Sequence, residues 1–288
     1  MGLLSVKTNI NFYDFNALIA HLFDLMTIKK FLSLSTFSLI IVFFCLQNVE
    51  FSYSAMNPDP TIRLNEVRKN YQTNVEKLYD DCNLLDYNLE LTVFEKAYTG
   101  FRNLEKDGKL KSTNLLTIID FSKVSTQKRL YVIDLINKKV IFHSLVAHGK
   151  NTGENKAENF SNLEGSLMSS LGFFSTAETY FGNHDYSLRL DGLEPFFNSN
   201  ARKRAIVIHS ADYVSDSFIS KEGRLGRSFG CPALPNDISK SVINTISNGN
   251  CLFIYSPNIQ YLSKSKLLNT DAAAMYASLE NLENIKFN

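Results

Sequence analysis

Leu64, Val67, Tyr71, Val75 and Leu78 recur at intervals of three and four, the spacing that places apolar side chains along one face of a helix. The same rhythm returns at Leu91, Phe94, Ala97 and Phe101 after the polar stretch DCNLLDYN. Two helices are therefore expected between residues 61 and 104, the second capped by Asp86 or Asn88. KDGKLKSTN is rich in turn formers, and beyond it the period changes. In RLYVIDLINKKVIFHSLVAHG, β-branched and aromatic residues flank Ile-Asn-Lys-Lys, which predicts strands over 130–135 and 140–147. Further strands are expected over 173–179, 186–190, 205–209 and 251–255. One more helix is expected over 238–247, where Ile238, Val242 and Ile246 lie four apart, Asn236 or Asp237 supplies a cap and Gly249 follows the end. The pattern describes an α+β chain whose core is mainly β, with a small helical element at its N-terminal side.

Residues 1–54 follow a different logic. Lys29 and Lys30 precede FLSLSTFSLIIVFFCL, an uncharged and mostly apolar run. As a helix it would span about 24 Å at 1.5 Å per residue, short of a hydrocarbon core roughly 30 Å thick. That length favours a signal-peptide core over a permanent span, and Ser52, Ser54 and Ala55 offer small residues for cleavage. Retention of the leader as an anchor over 31–46 is the alternative, giving the chain an inner-membrane association. Either way the expected destination is the periplasm or cell envelope. Three regions are thus expected: the leader 1–54, a helical lead-in over 55–106, and a catalytic domain over 107–288.

Lys and Arg number 30 against 29 Asp and Glu, and no basic block stands out, so no nucleic-acid partner is implied. With 22 Phe and 13 Tyr the chain has ample apolar surface to bury, although it has no Trp. Four cysteines in 288 residues exclude a small disulfide-rich scaffold. Outside the leader only Cys82, Cys231 and Cys251 remain, an odd number that leaves at least one thiol without an intramolecular partner.

Cys231 sits in LGRSFGCPALP, a glycine-punctuated turn. From the residues alone it is a buried filler, half of a disulfide, a metal ligand or a nucleophile. As a nucleophile it needs a base, because a free thiol near pH 7 is only a few per cent ionised. His209, at the end of the apolar run AIVIH, would supply that base if strand and turn pack together. The amides of Gly230 and Cys231 are candidate oxyanion donors, and Pro232 has none to offer. A zinc site built from His148, His184, His209 and Cys231 is the competing chemistry, but no short ligand spacing supports it.

These residues resemble the catalytic region of the L,D-transpeptidase (YkuD-type) family, and most closely its murein L,D-transpeptidase catalytic domain-like subgroup. His209 matches the family base, Ser228 its hydroxyl residue, Gly230 its glycine and Cys231 its nucleophile. The blocks TIIDFSKVSTQKRLYVIDL, VAHGKNTGE, FSNLEGSLMSSLGFFSTAETYFG, YSLRLDGLE and NARKRAIVIHSADYVS extend the similarity over about residues 88–257. Two positions depart from the broader family: Phe229 stands where it usually has histidine, and Ala233 where it commonly has Asn or Arg. The subgroup accommodates both.

The resemblance implies a β-rich catalytic fold and acyl transfer on peptidoglycan stem peptides through a Cys231 thioester, with no metal and no cofactor. It also implies that the backbone carbonyl of Ser210 orients His209. Transfer to an amine makes a cross-link; transfer to water makes the enzyme an L,D-carboxypeptidase; a noncatalytic wall-binding module is the third alternative. Ser228 is a candidate substrate contact, although serine in such a turn commonly satisfies its own backbone. Arg227 and Arg189 are candidate receptors for a substrate carboxylate, Arg189 having an ion pair with Asp191 as its alternative. Tyr213 is a candidate cleft residue, and His148 and His184 are candidates for a second imidazole.

Overall fold

A computed structural model describes residue 43, residues 60–183 and residues 185–286. Apart from Phe43, the leader expected over 1–54 lies outside the described residues, as does His184. The chain divides into two units, residues 1–60 and 61–288, and the second carries the fold described here.

The two early helices form as their apolar spacing requires. Helix α1 spans Pro60–Asp81 and α2 spans Leu91–Lys106, with a 3₁₀ turn at Leu84–Tyr87 between them. Neither expected cap serves α2: Glu90 occupies that position with no side-chain cap bond, while Asp86 lies within the 3₁₀ turn and Asn88 ends it in the left-handed region. Helix α2 buries Val93, Phe94, Ala97, Phe101 and Leu104 against the sheet. Its Gly100 is required by close approach, because a Cβ there would come within 1.9 Å of the Phe173 ring.

Eight strands follow: β1 Leu115–Asp120, β2 Leu130–Asp134, β3 Lys139–Ser144, β4 Gly172–Gly182, β5 Asp185–Gly192, β6 Val207–Ser210, β7 Ala233–Leu234 and β8 Cys251–Tyr255. They hydrogen-bond in the order β3-β2-β1-β8-β4-β5-β6-β7. The β1–β8 and β6–β7 pairs are parallel and the rest antiparallel. The chain leaving β3 then reaches the opposite edge, where Ala147 bridges Ala233 on β7. The sheet therefore almost closes on itself, and the seam runs beside the LGRSFGCPALP turn.

Helices are not confined to the N-terminal side, which corrects the expected architecture. Helix α3 spans Asp216–Glu222, α4 Asn236–Ile246, α5 Ile259–Lys264 and α6 Thr270–Lys286. Helix α4 begins at Asn236 itself, so Pro235 holds the cap position in place of the expected Asn236 or Asp237. Asn103 of α2 donates to the carbonyls of Leu267 and Asn269, tying the C-terminal helices to the lead-in. One apolar core runs from α1 and α2 through the sheet to α4 and α6. No described helix is long and apolar enough to cross a membrane.

Arg129 is the largest fully buried side chain. Its Nε and Nη2 donate to Val146 O at 3.1 and 2.9 Å, and its Nη1 to Lys123 O at 2.8 Å. Nη2 also reaches His148 Nδ1 at 2.8 Å, and the guanidinium lies over the Phe121 ring at 4.8 Å. Burial pushes Arg129 down to about 9, against the opposing pull of Asp120. Arg129→Met leaves both carbonyls and an imidazole nitrogen without their donor, so it is expected to cost about 3 kcal/mol of stability. Urea unfolding at pH 7 measures this; a midpoint equal to wild type contradicts it.

Candidate active site

Strand β6 ends in Val207, Ile208, His209 and Ser210, and its parallel register sets His209 opposite Ala233. Cys231 lies two residues before Ala233, and its Sγ accepts from the Val207 N–H at 3.4 Å, two residues before His209. Imidazole and thiol thus occupy neighbouring rungs of one strand pair, a two-residue step of roughly 7 Å along the backbone. His209 is only 2 % exposed. Its Nδ1 lies 2.8 Å from Ser210 O; since a carbonyl only accepts, Nδ1 carries the proton and Nε2 is the basic nitrogen of the neutral ring.

Cys231 is half-buried and free. Burial pushes its thiol up, opposed by the Val207 N–H and by the charge of Arg204. The other two thiols outside the leader are also free but fully buried, and burial raises both, Cys82 to about 11.

The turn before Cys231 is fixed by Ser228. Its Oγ donates to Cys231 O at 2.6 Å and accepts from Gly230 N at 3.0 Å. The Gly230 amide, expected as an oxyanion donor, is thus bonded to Ser228 in this structure. The Cys231 amide has no hydrogen-bond partner among the described residues. Ser228 N donates to His148 O at 3.0 Å, and Lys150 N donates to Ser228 O at 2.7 Å, so the turn is stitched to the strand running from β3. Gly230 has φ +127, and a Cβ there would meet Met168 O at 2.8 Å; both conditions demand glycine.

His148 does not bring a second imidazole to the thiol. Its ring is buried edge-on to Phe121, taking a hydrogen bond from Arg129 at Nδ1 and meeting Gly153 O at 3.3 Å through Nε2. Burial, and next the charge of Arg129, push it down to about 4, so it is neutral at pH 7. Only its backbone carbonyl touches the site.

Both arginines expected to receive a substrate carboxylate already have one. Arg227 pairs with Glu154 at 2.6 Å and also donates to Gly153 O. Arg189 pairs with Glu178 at 3.2 Å and lies over the Tyr180 ring; Asp191 is taken by Arg202. Tyr213 covers Gly226, and burial, then the charge of an ionised Cys231, push its phenol up to about 12. Phe229, two residues before Cys231, has 72 % of its surface exposed.

Arg204 was not legible as a site residue. It lies in the block NARKRAIVIHSADYVS, whose pattern does not single it out; only the fold brings it beside Gly230, with Nη2 3.3 Å from where a Cβ would stand. Among the described residues, no three His, Cys, Asp or Glu side chains gather as a metal set.

Residues 85–255 match the family model for the L,D-transpeptidase catalytic domain, and the chain belongs to that family. No curated protein matches it. Among solved structures it is similar to an L,D-transpeptidase from Mycobacterium smegmatis, at 12% identity over 50% of this chain and 59% of that one, with a TM-score of 0.32. It is also similar to L,D-transpeptidase 3 from Mycobacterium tuberculosis, at 10% identity over 50% and 61%, with a TM-score of 0.33. A third is the L,D-transpeptidase from Stackebrandtia nassauensis, at 14% identity over 50% and 56%, with a TM-score of 0.30. The chain thus spans less than two thirds of the length of these relatives.

Proposed function

We propose that this chain is a cysteine acyltransferase that forms L,D cross-links between peptidoglycan stem peptides. The family match supports this, and so does the pairing of β6 with β7, which sets a half-buried thiol one step from an imidazole whose tautomer is fixed. His209 Nε2 takes the Cys231 proton, and the thiolate attacks the carbonyl of the third stem residue at its bond to terminal D-alanine. The Cys231 amide donates to the developing oxyanion. As the tetrahedral intermediate collapses the C–N bond breaks, His209 returns the proton to the leaving D-alanine amine, and a thioester remains. An amine of a neighbouring stem then attacks the thioester, a new amide forms and the thiol is released. One amide is exchanged for another, so the reaction consumes no external energy source, and the thioester divides a difficult step into two easier ones.

Residues 107–288 would be the catalytic domain and 55–106 its helical lead-in, with the leader directing export to the envelope where the substrate resides. Intact-protein mass spectrometry tests the proposal. Wild-type protein incubated with a tetrapeptide stem or a carbapenem is expected to carry one acyl adduct, and muropeptide analysis is expected to show cross-linked dimers. Absence of any adduct overturns the acyltransferase reading. An adduct resolved only to shortened stems replaces cross-linking by L,D-carboxypeptidase hydrolysis.

A further inference from the structure

Arg204 belongs to the turn that leads into β6, where its N–H bonds Asn200 O at 2.8 Å and the next residue, Ala205, has φ 53. All its terminal donors are engaged, and none by a carboxylate. Nη1 donates to Ser161 O at 2.7 Å and to Ser170 Oγ at 2.5 Å. Nη2 donates to Ser166 Oγ at 3.1 Å and to Met168 O at 2.6 Å. The guanidinium therefore gathers residues 161–170 into a wall and holds that wall against Gly230. Ser169 completes the contact, its Oγ donating to Gly230 O at 3.2 Å and accepting from Gly149 N at 3.0 Å. The same short segment cradles the thiol: Cys231 Sγ accepts from Val207 N and points at Ala205 O, 3.7 Å away.

We propose that Arg204 is a positioning residue for Cys231, fixing the 161–170 wall against Gly230 while setting a positive charge without an acidic partner beside the thiol. This rests on Cys231 being the nucleophile. Guanidinium suits the task because its planar fork reaches four acceptors at once and it stays charged under all working conditions. With its terminal N–H groups committed to the wall, it acts on the thiol through its field and through the wall, and does not clamp a substrate carboxylate. Besides its burial, the charge of an ionised Cys231 acts on Arg204 and holds its guanidinium in the charged form.

Few other described titratable groups lie near the thiol. His209 stands on β6 two residues beyond Val207, whose N–H bonds Sγ, and the Tyr213 phenol responds to the thiolate charge. In the preceding turn Arg227 is turned to Glu154. In the wall, Glu164 is paired with Lys203 at 3.0 Å, both largely in solvent. His148 is turned to Arg129.

The test is the pH dependence of Cys231 alkylation by iodoacetamide, read peptide by peptide, in wild type, Arg204→Met, Arg204→Gln and Arg204→Lys. The buried Cys82 and Cys251 stay unlabelled while the fold holds, so each sample reports its own integrity. The neutral variants are expected to shift the Cys231 midpoint up by about one pH unit, a tenfold loss of thiolate on the acid limb. Arg204→Lys keeps the charge and with it a midpoint near wild type, yet is expected to acylate about tenfold more slowly because a single ammonium cannot span the four acceptors. A purely structural residue would not move the midpoint. An unchanged midpoint in either folded neutral variant overturns the proposal; if neither folds, wild-type acylation by Arg204→Lys does. Because alkylation needs no substrate, this failure is separable from failure of the transpeptidase reading, which shows as a wild type that alkylates but never acylates.

Discussion

Cys231→Ala protein is expected to carry no adduct after incubation with a tetrapeptide stem or a carbapenem, and to lose turnover by about 10⁴–10⁶-fold. The basis is the difference among the three thiols outside the leader. Cys82 and Cys251 are sealed in the core, where burial raises them further from ionisation. Cys231 alone is partly accessible, and it alone takes a backbone N–H bond on its sulfur, beside the charge of Arg204, in favour of its charged form. Alanine removes the sulfur without disturbing the turn, because Ser228 holds the backbone of residue 231 through its carbonyl. Stability is therefore expected to change by no more than about 1 kcal/mol. An identical adduct on the alanine protein would falsify the assignment, and a large drop in stability would show that the thiol is a packing element.

His209→Asn is expected to slow acylation of Cys231 by about 10²–10⁴-fold, the usual contribution of a positioned general base. Asparagine can keep a donor near Nδ1 for the Ser210 carbonyl, which His209 approaches at 2.8 Å. It has no counterpart to Nε2 that could accept and return a proton. The pH profile should change with the rate: wild type acylates appreciably at neutral pH, while the asparagine protein depends on spontaneous thiol ionisation and accelerates only as the solution becomes alkaline. Stopped-flow acylation by a carbapenem across that range measures both features. An acylation rate within tenfold of wild type at pH 7 removes His209 from the base's place.

The strands that alternate or carry dense β-branched runs were readable, as were the helices with a clear apolar stripe; β8 and α2 are examples. Strand β1 was missed because LLTIID is buried at all but its first position, which removes the two-residue rhythm. Strand β7 is two residues long and exists through its partner, so no local pattern announces it. Helix α6, TDAAAMYASLENLENIK, distributes small and polar residues around its circumference and shows no stripe.

The same distinction governs the site. His209 and Cys231 stand in short, characteristic blocks, which is why the sequence singles them out. Arg204 takes its significance from carbonyls and hydroxyls some forty residues earlier, and long-range pairings of that kind leave no spacing to read. Gly230 was singled out for its amide; its left-handed conformation and its contact with Met168 O, which also need glycine, follow from the fold and leave no mark in the sequence.

The bridge between Ala147 and Ala233 has a consequence for when the sulfur becomes useful. It joins residues 86 apart in sequence, with β4, β5 and β6 between them, so the segment that carries Cys231 is fixed to the chain leaving β3 only after those strands have paired. A newly made chain would hold an inert thiol until this late clasp fastens.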